Sequence, residues 1–441
     1  MNSFSKNSLI TFFTEVLVFI FGFVTLIILA RALGPTGKGI YSLLLLIPGI
    51  MITFGNFGIG SANIYLVGSK KYKIQDIVSN SLVLAILLGF ILILIFWGML
   101  QFKPFQKFIY SNQIPPFYLW IIVFSIPISL LLIFFRGIIG GKGEITNYNK
   151  TRILEGAISL VAVIIFLLIL KMEMFGAVIS YVLAGIGAAL LSIFFVKKIA
   201  KIRLFLNENL LKESAIYGGK VSLASALSFL NYRLDMFFIA FFWTPAAVGF
   251  YSIAVGVSEK LFMIPGAIAT VLFPKISSLS SSEANDFTPK IIRHTFFIML
   301  ISSLLLFFLA KPMITLVFGS PFLPSITPLI LLLPGIIAFG IGGVMAADLC
   351  GRGKPQFAVY SSFACLVVDT ILNFILIPKW GISGAAFASS VSYWVDTLII
   401  IVAFSKISKK PLTEFLLIKK DDFKDYLQLF SNFRNWFKKV N

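Results

Sequence analysis

Nine ionisable side chains lie inside the long apolar runs of this chain: Glu15, Arg136, Glu155, Arg233, Asp235, Glu259, Lys260, Asp369 and Asp396. A charged group near the centre of a bilayer costs at least about 2.5 kcal/mol on insertion scales, so each needs an opposite charge or a wetted cavity. So many of them imply a hydrated interior rather than a bundle that faces only lipid. Arg233 is the most informative, because it falls about ten residues from the outer end of its run, roughly 15 Å deep at the α-helical rise. At that depth the head group does not easily reach water by snorkelling, and a guanidinium favours charge-assisted, bidentate hydrogen bonds to phosphate or carboxylate. The competing reading is an interhelical salt bridge to Asp396 or Asp369. Asp235, two positions on, points roughly 200° away around a helix, so the two do not pair within it.

The other charges divide similarly. Lys260 could add a second positive charge beside Arg233, with Glu259 turned to a different helix, or both could pair with neighbours. Arg136 sits within a turn of its helix end, where snorkelling competes with a ligand role. Arg31 closes the first apolar run as an interface anchor or a contact for a departing head group. Asp369 and Asp396 fall near mid-membrane, where a carboxylate carries a proton or Na⁺, or else packs in a salt bridge. With Glu15, Glu155, Asp235 and Glu259 they form the set of candidate cavity or ion-coupling carboxylates. Asp348, at a cytoplasmic helix end, reads as solvated.

The elements that hold these residues follow from composition. With 59% hydrophobic and 12% charged residues and a mean hydropathy of +0.98, the chain has too little polar surface to cover a soluble domain. Its apolar runs have the length a helix needs to cross a bilayer, and in lipid only helices and closed barrels satisfy their own backbone groups. Alternating strands are absent, so the fold class is an all-α polytopic membrane protein. The expected spans are 8–30, 40–67, 77–100, 116–139, 149–170, 174–196, 215–243, 247–275, 289–310, 325–349, 356–377 and 381–405, twelve in all. Most of the 37 Lys and Arg residues fall in alternate loops, such as Lys70, Lys71 and Lys73 or Lys197, Lys198 and Lys201, whereas Arg31 and Lys38 fall in the sparser opposite set. The positive-inside rule then puts both termini in the cytoplasm. The formal charge of +19 is accounted for by anionic membrane lipids without nucleic acid.

The chain is internally duplicated. Pro35-x-x-x-Gly39-x-Tyr41-Ser42 returns 210 positions later as Pro245-x-x-x-Gly249-x-Tyr251-Ser252, and Gly141-Lys142-Gly143 returns as Gly351-Arg352-Gly353. An even number of spans separates the copies, so the expectation is two parallel six-helix bundles around a central cavity, 1–200 and 215–405. An amphipathic cytoplasmic linker, 201–214, joins them. Residues 406–441 form a basic tail with Phe423, Tyr426, Leu427, Phe430 and Phe433 at helical spacing, an interfacial amphipathic helix. No enzyme constellation is present: His294 is the lone histidine, and Cys350 and Cys365 support neither a disulfide framework nor a metal site. The Gly-x-Gly fragments lack the strand and spacing of a phosphate loop and read as tight turns. No cofactor is implied.

The stretch Ala30-Arg31-Ala32-Leu33-Gly34-Pro35-Thr36-Gly37-Lys38-Gly39-Ile40-Tyr41 resembles the signature after the first span of bacterial polysaccharide-biosynthesis flippases. So do Val248 to Ser252 with Glu259, Lys260 and Pro274, and Asn373 to Pro378 followed by Gly381 to Ala386. The likeness runs over roughly 5–405 and points to the O-antigen and capsule branch of the multidrug/oligosaccharidyl-lipid/polysaccharide exporter superfamily. It implies a transporter, not an enzyme, in the bacterial cytoplasmic (inner) membrane. The implied substrate is a polyprenyl-pyrophosphate-linked glycan moved to the outer leaflet by alternating access, with polysaccharide polymerase or glycosyltransferases as partners. On that reading Arg233, Lys260, Arg136 and Arg31 are the candidates for the pyrophosphate and glycan, and Trp243, Trp380 and Trp394 for stacking on sugars. A cation-coupled multidrug exporter of the same superfamily is the alternative, for which a deep Arg233 and Lys260 are ill suited.

Overall fold

The computed structural model describes residues 3–411 and 414–415, and the aromatic positions of the tail from Phe423 onward lie outside the described residues. The described residues contain helices and no strand. The first half runs α1 (Ser3–Gly55), α2 (Ile59–Ser69), α3 (Ile74–Met99), α4 (Lys103–Ser111), α5 (Pro116–Phe124), α6 (Ile126–Gly141), α7 (Ile145–Val163) and α8 (Glu173–Ile199). The second runs α9 (Glu208–Phe242), α10 (Pro245–Ser258), α11 (Met263–Ser278), α12 (Ser281–Met313), α13 (Ile326–Gly351) and α14 (Gln356–Ser408). Among the described residues nine helical stretches are long and apolar enough to cross a membrane. Contacts group the chain into two compact units, Met1–Ser252 with Thr315–Phe322, and Ile253–Ile314 with the segment from Leu323 onward.

Helix ends follow local chemistry where they meet polar surroundings. Asn207 caps α9 by accepting from the Leu210 N–H, and Ser280 with Glu283 makes a capping box at the start of α12. Asn80 on α3 grips the Asn207 backbone from both sides, donating to its carbonyl at 3.0 Å and accepting from its N–H at 2.8 Å. Those two bonds fix where the segment after α8 turns into α9.

Several expected boundaries change form. The loop expected between the first two spans is a one-residue corner at Gly34 (φ 65, ψ −180) inside α1, with Pro35 opening the second arm. Gly381 (φ 57, ψ −136) makes the matching corner inside α14. The second span breaks between Gly55 and Ile59, and the eighth is not one continuous α-helix: a 3₁₀ turn, Glu259–Phe262, separates α10 from α11. That turn holds Glu259 and Lys260. The stretch between α3 and α5 folds as α4, docked in the first unit by Phe108 stacked on Phe237 and by Asn112 donating to the Ala240 carbonyl.

The duplication seen in the sequence is repeated in backbone geometry. Gly143 (φ +80) and Gly353 (φ +74) both occupy the left-handed region that glycine enters at no steric cost. Each ends its helix with the same hydrogen bonds 210 positions apart: Lys142 N–H to Ile138 and Arg352 N–H to Asp348, Gly143 to Gly140 and Gly353 to Cys350, Glu144 to Ile139 and Lys354 to Leu349. One turn was copied with its hydrogen-bond pattern.

The Pro-x-x-x-Gly copies meet inside the first unit. A Cβ on Gly39 would lie 1.7 Å from the Pro245 carbonyl oxygen, and one on Gly249 would lie 2.0 Å from that of Pro35. Each copy's glycine thus faces the other copy's proline, the reciprocity of a pseudo-twofold contact. Backbones come this close only where both helices present hydrogen in place of a side chain. Gly137 and Gly141 on α6 use the same device against Gly60 and Ile64 of α2.

In the second unit, α13 and α14 pack through small residues: Gly335 against Ser390 and Gly342 against Thr397. Asp348, expected to be solvated, is instead fully buried. It accepts from Thr288 at 2.6 Å and from Arg352 at 2.5 Å, and Arg352 also reaches Asn285. Burying the carboxylate is tolerated because a guanidinium and a hydroxyl come with it. Phe415, also fully buried, meets Phe404 edge to face, while Arg293 donates to the Glu414 carbonyl. The chain just past α14 is therefore tied back to its own unit.

Two stability outcomes follow. Gly39→Ala and Gly249→Ala each lower the melting temperature of the purified protein, by the equivalent of about 1–3 kcal/mol of overpacking. Gly22→Ala, where a Cβ meets nothing within 4 Å, does not; equal melting of all three variants would contradict the contact. Asp348→Ala, which strands the Arg352 guanidinium, costs about 3–5 kcal/mol, seen in the same melting assay as a larger loss than Asp348→Asn produces.

Candidate functional site

Lys38 was expected in an outer loop; its side chain is buried in the second arm of α1. Its ammonium donates to Ser42 Oγ at 2.8 Å and to Ser252 Oγ at 3.2 Å. Ser42 and Ser252 are equivalent residues of the two motif copies. Each spends its own proton on a carbonyl of its helix, Ser42 on Lys38 and Ser252 on Gly249, and so presents lone pairs to the ammonium. The Tyr41 ring lies 5.9 Å from the nitrogen. One buried cation thus joins the two copies of the repeat beside their glycine crossing. No carboxylate is needed to hold it there.

Arg233 lies on α9, in the same unit. Its guanidinium donates to the Tyr232 carbonyl at 2.8 Å. Asp235 faces elsewhere, as the helical offset requires, and accepts the Tyr251 hydroxyl, the second copy's equivalent of Tyr41. Both residues are buried. The consequence is that Asp235 secures the repeated motif on α10.

Two further charged contacts lie in this unit. Arg136 meets Glu155 at 2.7 Å and donates to Thr151 at 2.9 Å. Arg152 makes a two-pronged contact with Glu15, using NH1 on one carboxylate oxygen and NH2 on the other. These pairs tie α6 to α7 and α7 to α1, and they account for why four charges survive in apolar helices. Arg31 donates through Nε to the Val317 carbonyl at 2.7 Å and through NH2 to Leu316, closing the carbonyl end of a π-helical turn.

The second unit places its acidic residues separately. Asp369, buried on the first arm of α14, accepts from Asn373 at 2.7 Å and from Ser392 on the other arm at 3.2 Å. The Asn373 amide oxygen is buried with no hydrogen-bond partner. Asp396, also buried, lies beside Ser361. Glu259 and Lys260 are half-buried in the 3₁₀ turn. Among the described residues no group of three or more His, Cys, Asp and Glu is placed to hold a metal. Trp243, Trp380 and Trp394 are all exposed on the protein surface.

Sequence reasoning missed Lys38 because a lysine between two apolar runs reads as a loop residue. Its signal was present: it stands inside the repeated motif, four positions before Ser42, where helical spacing puts ammonium and hydroxyl on one face.

Comparison with known proteins places this arrangement. The profile of the family described as "Polysaccharide biosynthesis protein" matches residues 4–280. A probable low-salt glycan biosynthesis flippase, Agl15 of Haloferax volcanii, is 29% identical over 41% of this chain and 39% of its own length. A putative O-antigen transporter of Shigella flexneri is 24% identical over 90% of this chain and 97% of its own. In three dimensions the chain is similar to the lipid II flippase MurJ in an inward closed conformation, with a TM-score of 0.77, 17% identity, and coverage of 97% of this chain and 92% of that one. The family profile spans more than half of the chain and its helices follow a known transporter fold: the protein belongs to the polysaccharide biosynthesis protein family of multi-pass membrane proteins.

Proposed function

We propose that the protein is a flippase that moves a polyprenyl-pyrophosphate-linked oligosaccharide from the cytoplasmic to the outer leaflet by alternating access, for surface polysaccharide biosynthesis. The observation that carries this reading is the buried Lys38 ammonium, held by hydroxyls of both motif copies in the unit that also contains Arg233. A cation buried without a carboxylate creates a positive potential in a low-dielectric interior, and a diphosphate matches it in charge and in acceptor geometry. The names of the two relatives, a glycan biosynthesis flippase and an O-antigen transporter, support a glycan as the cargo. A multidrug exporter would want acidic groups where Lys38 and Arg233 stand.

A route lined by polar groups is what such a cargo requires. Carrying ionised phosphates through bare hydrocarbon forfeits tens of kcal/mol of solvation by an idealised Born estimate, whereas the prenyl tail stays in lipid. With the cell interior negative, each negative charge moved outward gains about 2.3 kcal/mol per 100 mV. Lys260 and Arg31 are the further candidate cations for the cargo; Arg136 is the weakest member of the set, because Glu155 and Thr151 engage it. Asp369 and Asp396 are the groups for a coupling proton or sodium ion, a role supported by the unpartnered Asn373 oxygen beside Asp369.

Twelve crossings fit the helices: the two kinked stretches within α1 and α14 count twice, and α9 joins the nine apolar stretches. On this reading 1–200 and 215–405 are the two repeats, 201–214 is the linker, and both termini face the cytoplasm of a bacterium. Polymerase and glycosyltransferases act before and after this step as separate proteins, and no bond is made or broken here.

The expected result of Arg233→Ala is a loss of glycan-lipid translocation in proteoliposomes corresponding to about 2–5 kcal/mol, the cost of truncating one partner of a charged contact. Arg233→Lys retains part of it, since an ammonium keeps the charge but not the fork. Lys107→Ala, on the exposed face of α4, leaves transport unchanged. Full transport by a correctly inserted Arg233→Ala variant would remove the phosphate role.

A further inference from the structure

A groove of about 640 Å³ opens in the first unit between the end of α2 and the start of α9, away from Lys38 and Arg233. That volume lies within the ~300–1,000 Å³ range of small-molecule sites. One wall is a pair of parallel tyrosines: the Tyr65 and Tyr217 rings stack at 4.4 Å with planes 7° apart, and both residues stay exposed. The opposite chemistry is polar, from Asn209, Lys212 and Glu213.

Glu213 is set up as an acceptor. Lys71 donates to its Oε2 at 2.6 Å and the Tyr72 hydroxyl to the same oxygen at 2.8 Å, while Oε1 takes no hydrogen bond among the described residues. Lys71 first, and Tyr72 second, hold the carboxyl below the usual carboxylate range, so it is ionised at neutral pH. The groove therefore offers an apolar ring face, a charged acceptor, an amide that both donates and accepts, and one ammonium in Lys212.

Ligand classes can be separated on these groups. A polyanion is disfavoured, because Glu213 stands in the wall and neutralises Lys71. An apolar ligand would strip water from the carboxylate and amide without replacing their hydrogen bonds. A neutral pyranose fits both surfaces: its C–H face packs on a tyrosine ring while its hydroxyls donate to Glu213, exchange hydrogen bonds with Asn209 and accept from Lys212.

We infer that this groove is a saccharide-binding site, separate from Lys38 and Arg233, that receives a neutral or N-acetylated pyranose. The inference rests on the flippase reading for its biological use and not for its chemistry. The sugar is part of a membrane-lipid glycan presented at the surface where Lys70, Lys71 and Lys73 cluster, or a soluble saccharide. The recognising groups are the same.

The test is saturation-transfer difference NMR on the full chain in lipid nanodiscs, with N-acetylglucosamine, glucose and galactose as free probes. Short-chain prenyl-pyrophosphoryl N-acetylglucosamine is the lipid-linked probe, and inorganic pyrophosphate is the counter-probe. The expected result is saturation on pyranose C–H protons, weakened at least fivefold by Tyr217→Leu and by Glu213→Gln but retained in Tyr217→Phe and in Arg233→Ala. Tighter binding of the prenyl-linked probe, by tenfold or more, assigns the site to the lipid-borne glycan, and equal binding to a soluble sugar; both uphold it. Absence of saccharide signals in the folded wild-type protein, signals indifferent to both Tyr217→Leu and Glu213→Gln, or pyrophosphate binding lost in Lys212→Ala with no sugar binding, would overturn it. Because Arg233→Ala is the variant that tests translocation, loss of transport with intact sugar binding separates the two readings.

Discussion

The first unit is organised around a close crossing of two backbones that only glycine permits. Gly39 and Gly249 each stand where a methyl group would overlap a carbonyl of the other motif copy. The Lys38 ammonium sits beside this crossing and joins Ser42 to its copy Ser252. The arrangement is costly in isolation, since an ammonium out of water loses several kcal/mol of solvation. Two hydroxyls whose protons are already committed offset part of that loss with oriented lone pairs, and Tyr41 adds a ring face. Asp235 completes the frame by holding Tyr251. Once those contacts form, the placement of α9 follows, and with it the position of Arg233.

Charge in the apolar interior then falls into two kinds. Glu15 with Arg152, and Glu155 with Arg136, are neutral pairs that fasten neighbouring helices. In the second unit Asp348 and Arg352 pair within the end of α13, and Thr288 and Asn285 tie that pair to α12. Lys38 differs, because hydroxyls of the two motif copies, not a carboxylate, hold its ammonium. A cation held in this way leaves a positive local potential. The sign of this local potential, more than the fold, separates a carrier of anionic glycolipids from one of cationic drugs, since both chemistries share the helical framework.

Much of this was legible in the sequence, and the limits have physical causes. The duplicated Pro-x-x-x-Gly-x-Tyr-Ser motif and the Gly-x-Gly turns announced the repeat, because glycine and proline mark positions where backbone geometry is fixed. Arg233 and Asp235 stood out because charge inside an apolar run is rare. Hydropathy failed at the corners: Gly34 and Gly381 turn the chain in one residue, so no polar loop was needed, and Lys38 was assigned to a loop that does not exist. It failed again at Asp348, which sits near a helix end yet is enclosed by Thr288 and Arg352. Pairing partners such as Arg152 for Glu15 lie 137 positions apart, and a single sequence carries no signal for contacts of that range.

Movement of a glycan-bearing pyrophosphate lipid across the membrane is tested most directly by mass spectrometry of polyprenyl-linked lipids from cells depleted of this protein, combined with a membrane-impermeant probe that reports which leaflet holds the sugar. The expected result is accumulation of glycan-pyrophosphate lipid confined to the cytoplasmic leaflet. Unchanged glycolipids in depleted cells, together with raised sensitivity to cationic drugs, would contradict it.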